Sequence, residues 1–225
     1  MKTPTLFLLM MIALSGFSQT ETGNTALSTN QKSAQTDTLF NFENYQLGQT
    51  PPGWSVSLTG RGKMCSWSIL SDNGNKVLAQ TSSETPDYRF NIVTNNTLSY
   101  KDVEISVRFK AVKGNGDQGG GPVWRYVDEN NYYVARANPL ENNYRLYKVV
   151  NGNRIQLKSA NIKMTDGKWY NLKIVMKGNN IQCYFNGKPK LQATDNTFKD
   201  AGKIGLWTKS DAATWFDELN IQEVK

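Results

Sequence analysis

The chain has 225 residues, with 26 Lys and Arg, 19 Asp and Glu, and no His, so its formal charge is +7. The absence of His excludes Ser–His and Cys–His nucleophilic catalysis and His-ligated metal centres. The basic residues are dispersed along the chain, so the charge does not indicate a nucleic-acid partner. An acidic polysaccharide is a more natural partner for this charge.

The first 19 residues have the pattern of a secretory signal peptide. Lys2 gives a positive start, Leu6–Leu14 is apolar, and small residues precede Gln19. The apolar run is too short to span a bilayer, so we expect no membrane partner. Residues 20–37 are rich in Thr, Ser, Asn and Gln, which predicts a disordered linker. We therefore expect a secreted or periplasmic protein.

Residues 38–225 are predicted to form one all-β domain, because short β-branched and aromatic runs alternate with turn signals. Many short strands with tight turns favour a two-sheet antiparallel jelly-roll sandwich, and we expect a monomer. The predicted strands are Thr38–Phe42, Trp67–Leu70, Lys76–Gln80, Phe90–Val93, Val103–Lys110, Val123–Val127, Tyr132–Ala137, Tyr144–Val150, Arg154–Ser159, Trp169–Lys177, Asn180–Phe185, Lys188–Thr194, Ile204–Thr208 and Thr214–Glu223.

Two neighbouring predicted strands carry the first candidate ligand-binding residues. The turn-forming residues 128–131 separate these strands and favour a β-hairpin. Counting back from a four-residue loop places Arg125 opposite Val134, and puts Arg125, Tyr132 and Arg136 on one face. Planar guanidinium donors beside aromatic rings suit a polar, ring-shaped ligand. The alternative is an amphipathic sheet whose Arg side chains are merely solvated.

Two further candidates lie at the end of the predicted strand Ile204–Thr208. If Ile204 and Leu206 face the core, Trp207 and Lys209 face outward onto a sheet surface. Trp207 would then stack on the apolar face of a sugar, and Lys209 would bind its hydroxyls or carboxylate. The alternative is that Trp207 is a rim or core aromatic residue.

The two cysteines leave the redox state of the protein open. Cys65 and Cys183 are far apart in sequence and could pair in an oxidising compartment. Cys183 alternates in phase with Ile181 and Phe185, which favours a core thiol.

Several short sequence motifs in this domain resemble those of a known superfamily. They are Gly120-Gly121-Pro122-Val123-Trp124-Arg125-Tyr126, Asn131-Tyr132-Tyr133-Val134-Ala135-Arg136, Trp169-Tyr170-Asn171-Leu172-Lys173, Gly202-Lys203-Ile204-Gly205-Leu206-Trp207-Thr208-Lys209 and Phe216-Asp217-Glu218-Leu219. Over residues 38–225 the chain resembles the concanavalin A-like, laminin-G-like superfamily, and most nearly exported bacterial proteins of the 3-keto-disaccharide hydrolase domain type. The resemblance implies a jelly roll that binds a glycan on its concave sheet, with Arg125 in the pocket. The chain departs from the family pattern at Pro122-Val123-Trp124.

The carboxylates favour a binding protein over an enzyme. Glycoside hydrolysis normally needs two carboxylates across the scissile bond, and related laminarinase-type enzymes place theirs as Glu-x-Asp-x-Glu. Here no Glu is followed two residues later by Asp. The alternative function is a glycosidase-like hydrolase acting on a (3-keto-)disaccharide or polysaccharide, with Glu141 and Asp211 as candidate catalytic residues from distant strands.

The resemblance also implies a structural calcium ion, held by an acid near the first strand and an acid in the last. Glu43 and Asp217 stand at the matching places. Calcium prefers six to eight oxygen ligands, and the sequence offers two candidates. The alternative is that both are ordinary surface carboxylates. No other cofactor is expected.

Overall fold

Fifteen strands make up the part of the chain described by a computed structural model, residues 37–225. The predicted signal peptide, residues 1–19, lies outside this range, as does the predicted linker, residues 20–37, except for its last residue. The described residues belong to one unit, Gln35–Lys225. No helix that could cross a membrane occurs among them.

The strands have the following bounds in chain order. They are β1 (Thr38–Phe40), β2 (Trp54–Gly60), β3 (Trp67–Asp72), β4 (Asn75–Gln80), β5 (Arg89–Tyr100), β6 (Val103–Lys113), β7 (Gly120–Asp128), β8 (Asn131–Asn138), β9 (Asn143–Val150), β10 (Asn153–Asn161), β11 (Tyr170–Lys177), β12 (Asn180–Phe185), β13 (Lys188–Thr194), β14 (Gly202–Lys209) and β15 (Ala213–Glu223).

Two antiparallel sheets are formed by these strands. The first has the order β13-β12-β11-β6-β15-β4-β3, with β1 also paired to β15, and the second has the order β10-β9-β8-β7-β14-β5-β2. Seven of the thirteen strand pairs join strands that are not consecutive in sequence, as the long connections of a jelly roll require. The predicted two-sheet antiparallel sandwich is confirmed.

The main hydrophobic core lies between the two sheets. Strand alternation sends Tyr133 and Leu146 of the second sheet into it, together with Ile105 and Phe216 of the first. Cys183 is also buried there, as its phase predicted, and both cysteines are free thiols. Burial raises the pKa of Cys183 to about 12, so this thiol is protonated and unreactive at neutral pH.

All fourteen predicted strands are present, and one further strand, β2, was missed. It follows the turn at residues 51–53, and its small Ser and Thr residues make its hydrophobic content low. Trp54, Val56 and Leu58 nevertheless alternate with hydroxyl side chains, which is the period-two signal of a strand. β2 forms the edge of the second sheet beside β5.

The second sheet carries another apolar cluster on the face that points away from the core. We call it the concave cluster; its members are Phe90, Ile92, Val123, Tyr126, Tyr132, Val134, Tyr147, Val149 and Trp207, and all are buried. The guanidinium of Arg154 on β10 lies 4.9 Å from the ring of Phe90 on β5. In a flat sheet these two strands would be about 24 Å apart. The sheet is therefore strongly curved, and this face is its concave side.

Candidate functional site

Charged side chains collect at one end of the concave cluster. The register pairs Arg136 of β8 with Arg145 of β9, and it pairs Gly121 of β7 with Trp207 of β14. Two like charges directly opposite each other repel, so this arrangement needs an anion nearby. Five residues make up what we call the charged site: Asp117, Arg136, Glu141, Arg145 and Lys209.

Arg136 is the central residue of the charged site and is 1% exposed. Its Nη2 atom lies 2.9 Å from Oε2 of Glu141 and 4.0 Å from Oδ2 of Asp117. Within the described chain, its Nε atom makes no hydrogen bond, and its Nη2 atom has only these ion pairs. Gly119 leaves room for this side chain, because a Cβ atom at residue 119 would lie 2.6 Å from Arg136 Nε.

Asp117 lies beneath Arg136 and is completely buried. Its Oδ1 atom accepts hydrogen bonds from the backbone N–H of Gly119 at 2.6 Å and from Asn138 Nδ2 at 3.2 Å. Its Oδ2 atom has no hydrogen-bond donor in the described chain, although Lys209 Nζ lies 3.4 Å away. A buried polar atom without a partner costs about 1–3 kcal/mol. The charged site therefore keeps one buried donor, Arg136 Nε, and one buried acceptor, Asp117 Oδ2, without a hydrogen bond.

Glu141 lies in the loop between β8 and β9 and holds the two arginines together. Its Oε2 atom is 2.8 Å from Arg145 Nη1 and accepts a hydrogen bond from Asn143 Nδ2 at 2.9 Å. Burial raises the pKa of Glu141, but the Asn143 amide, Arg136 and Arg145 together hold it below its ordinary value. The carboxylate is therefore ionised at neutral pH and is a poor general acid.

Asp211, the second catalytic candidate, holds a loop in place. Its carboxylate accepts hydrogen bonds from the backbone N–H groups of Asn115 at 2.8 Å, Gly116 at 3.1 Å and Asp117 at 3.0 Å. Burial raises the pKa of Asp211, but these three hydrogen bonds lower it below its ordinary value. These contacts fix the loop that carries Asp117. Asp211 therefore positions Asp117 and does not itself belong to the charged site.

Arg125 does not share a face with Tyr132 and Arg136, and that prediction is wrong. Val123 pairs with Val134, and a β-bulge follows between Trp124 and Asp128. Arg125 adopts a left-handed φ of 43° in this bulge, which shifts the register on which the prediction depended.

The Arg125 guanidinium lies instead at the end of the sandwich, where it ties connecting segments together. It donates hydrogen bonds to the carbonyls of Lys101 at 2.7 Å, Phe198 at 2.5 Å and Gly178 at 2.7 Å, and to the Asp102 carboxylate at 3.2 Å. These segments join strands of both sheets, so Arg125 has a structural role there.

Trp207 faces the concave side as predicted, but it is not available for stacking on a sugar. The side chain is completely buried, and Phe90 lies 5.2 Å from it between ring centroids. Its Nε1 atom donates to the hydroxyl of Tyr132 at 3.2 Å. Tyr132 is itself fully buried, and burial raises the pKa of its hydroxyl. Both residues therefore belong to the buried concave cluster and are closed to a ligand.

Glu43 and Asp217, the predicted calcium ligands, lie on either side of β4. Asp217 Oδ2 accepts a hydrogen bond from Asn75 Nδ2 at 3.0 Å, and Glu43 Oε1 accepts one from the backbone N–H of Lys76 at 2.8 Å. The ammonium of Lys76 donates to the carbonyls of Glu43 and Tyr45, both at 2.8 Å.

These contacts do not fit a calcium ion. The carbonyl oxygens that would bind calcium already surround an ammonium group that belongs to the chain. No group of three or more His, Cys, Asp or Glu that could hold a metal occurs among residues 37–225.

Comparison with known proteins identifies the family. A profile of the 3-keto-alpha-glucoside-1,2-lyase-like domain matches residues 35–222, nearly the whole described chain. The chain belongs to this family. The sequence-based resemblance is thereby confirmed, together with the concanavalin A-like fold. No curated protein matches the sequence.

Solved structures show the same fold at low sequence identity. The carbohydrate binding module CBM66 from Bacillus subtilis has a TM-score of 0.63 at 20% identity, covering 76% of this chain and 96% of that one. A GH16 protein of the Bacteroides ovatus mixed-linkage glucan PUL, in complex with its G4G4G3G product, has a TM-score of 0.61 at 13% identity, covering 82% and 99%. The VIP36 exoplasmic/lumenal domain, in a Ca2+/Man3GlcNAc-bound form, has a TM-score of 0.54 at 11% identity, covering 79% and 86%.

Sequence reasoning found Arg136 and Lys209 but missed how Asp117, Glu141 and Arg145 complete the site. Arg145 alternates in phase with Tyr147, so its face could have been inferred once β9 was paired with β8. Asp117 comes before β7, and no local pattern indicates that it lies beneath a side chain of another strand. Glu141 was considered only as a possible catalytic acid.

Proposed function

We propose that this protein is an exported carbohydrate-binding jelly roll that holds a glycan in the charged site, at one end of its concave sheet. One observation carries the proposal. Arg136 Nε and Asp117 Oδ2 are buried without hydrogen bonds in the described chain, and Arg136 Nη2 has only the ion pair with Glu141. Because these atoms are buried and Glu141 is 36% exposed, a sugar reaches them by displacing the Glu141 side chain, and its hydroxyl then donates and accepts at once.

The fold supports the same class of ligand. The similar solved structures include a carbohydrate-binding module, a GH16 protein with an oligosaccharide product and a domain bound to Man3GlcNAc. At 11–20% identity they share the architecture with this chain, and they leave the sugar unspecified. We also propose that the protein is exported, is a monomer and has no nucleic-acid or membrane partner.

Calorimetric titration with a panel of oligosaccharides tests this function. We expect Arg136→Met and Lys209→Met to weaken glycan binding at least about tenfold, because each removes a charge-assisted contact worth more than about 1.4 kcal/mol. Arg108→Met is the matched control, since Arg108 lies on the first sheet and is 34% exposed. Equal affinity in the control and in both site variants would refute the proposed site.

A glycosidase-like hydrolase acting on a (3-keto-)disaccharide or polysaccharide is the second candidate. Arg136 Nη2 lies 4.0 Å from Asp117 and 2.9 Å from Glu141, so these carboxylate oxygens are at most about 7 Å apart, a separation compatible with glycosidase pairs. Sugar release by the wild type that is abolished in Glu141→Gln but retained in Arg108→Met would favour this function. Loss of release in Asp211→Asn alone would instead indicate disruption of the loop that carries Asp117.

A further inference from the structure

We infer that the glycan bound by the charged site carries a carboxylate, as in a uronic acid, and that Glu141 occupies the position of this carboxylate in the free protein. The inference rests on the proposed function and specifies its ligand class. It follows from the charge balance of the site, from the position of Glu141 and from the unused Nε donor of Arg136.

The charge balance favours an anion. Arg136, Arg145 and Lys209 carry three positive charges against the two negative charges of Asp117 and Glu141. Asp117 is fixed by its backbone and amide donors beneath the site, whereas Glu141 reaches it from a loop. When Glu141 swings away, three cations face one carboxylate. A neutral sugar would leave two of these charges without compensation in a partly buried site.

Arg154 adds to the positive charge at the same end. Its guanidinium lies 4.6 Å from the ring of Tyr147, whose hydroxyl is 3.4 Å from Arg145 Nη1. Its own Nη1 atom is buried and makes no hydrogen bond in the described chain. Burial lowers the pKa of Arg154 and the nearby Arg136 lowers it further, while Tyr147 and Asp117 act in the opposite direction.

Glu141 is placed where it can move. Its side chain is 36% exposed. Glu141 is also the one residue of the charged site that lines an open cavity of about 810 Å³, which extends to Lys163 and Tyr170. The carboxylate can therefore leave the arginines for open space by a side-chain rotation.

The contacts of Glu141 leave part of the binding capacity of Arg136 unused. A single oxygen, Oε2, approaches both Arg136 Nη2 and Arg145 Nη1, and Nε of Arg136 remains without a hydrogen bond. A guanidinium binds a carboxylate best through two parallel N–H···O contacts. A ligand carboxylate that takes the place of Glu141 can adopt this geometry, which the tethered Glu141 does not reach.

Titration of the full chain with paired ligands tests the inference. The probes are oligosaccharides of galacturonate, mannuronate and glucuronate, each compared with its methyl ester, which keeps the shape and removes the charge. We expect at least one acid to bind about tenfold or more tightly than its ester. We expect Glu141→Gln to bind that acid several-fold more tightly than the wild type, because the internal competitor is gone, and to leave ester affinity unchanged or lower.

The outcomes separate the inference from the proposed function. If esters or neutral glycans bind as tightly as the acids and binding depends on Arg136, the inference fails and glycan binding stands. If Glu141→Gln weakens the binding of acid and ester equally, Glu141 contacts the sugar and does not stand in for its carboxylate. If no glycan of either kind binds the wild type, both proposals fail.

Discussion

Replacing Arg125 should unfold the end of the sandwich and leave the glycan site unchanged. Its guanidinium is almost completely buried and makes contacts with three backbone carbonyls and the Asp102 carboxylate. Removing one member of such a buried network costs about 3–5 kcal/mol. The lower part of this range is expected for Arg125→Gln, because Asp102 is 29% exposed and its freed carboxylate can be hydrated.

This loss would be a large part of the 5–15 kcal/mol by which domains are typically stable. Urea unfolding followed by Trp fluorescence measures it, with Arg145→Gln as the control, since Arg145 is 32% exposed and its substitution should cost less than about 1 kcal/mol. An Arg125→Gln variant as stable as this control would refute the structural role. A folded Arg125→Gln protein with weakened glycan affinity would show that Arg125 contributes to glycan binding.

Three further predictions follow from individual contacts. Because the Lys76 ammonium already contacts two carbonyls, calcium should raise the melting temperature of Lys76→Met by several degrees and leave that of the wild type nearly unchanged. An equal rise in both proteins would restore the calcium prediction, and no rise in Lys76→Met would show that Lys76 does not occupy a calcium site. Gly119→Ala places a Cβ atom 2.6 Å from Arg136 Nε, so it should lower the free energy of unfolding in urea by about 1–3 kcal/mol and weaken glycan binding. A stability and a glycan affinity equal to those of the wild type would contradict the described packing. Burial raises the pKa of Asp195, but hydrogen bonds, chiefly from Lys148, lower it to about 2. This depressed pKa contributes about 2 kcal/mol to the free energy of unfolding above pH 4, and this contribution is lost as the pH falls from 4 towards 2. Asp195→Asn should therefore flatten that part of a curve of unfolding free energy against pH. An unchanged slope would show that the Asp195–Lys148 contact contributes nothing.

The strands could be predicted because their signals are local. A two-residue turn such as Asn186-Gly187 fixes both ends of a hairpin, and the observed bounds of β12 and β13 are the predicted ones. β2 shows the limit of this approach, since its Ser and Thr residues lower its hydrophobicity although its alternation is regular. The arrangement into sheets depends on pairings between distant strands, and the family resemblance supplied it.

The site could be predicted only as far as strand alternation remained regular. Alternation placed Trp207 on the correct face, but its burial comes from side chains of other strands, such as Phe90 of β5 and Arg154 of β10. The bulge at Arg125 has no sequence marker, because a left-handed arginine is rare and is stabilised here by carbonyls far away in sequence. Asp117 and Glu141 join Arg136 through loops, whose paths a periodicity argument does not describe.

Burial of β8 on both faces also limits where this protein can change during evolution. Every residue of β8 from Tyr132 to Asn138 is buried, with alternate side chains in the main core and in the concave cluster or charged site. A substitution anywhere along this strand therefore disturbs one packed layer or the other. The loop that follows is different, since Leu140 is half exposed and Glu141 borders open space. New ligand preferences are thus accessible through substitutions in residues 139–142, while the strand that presents Arg136 stays constant.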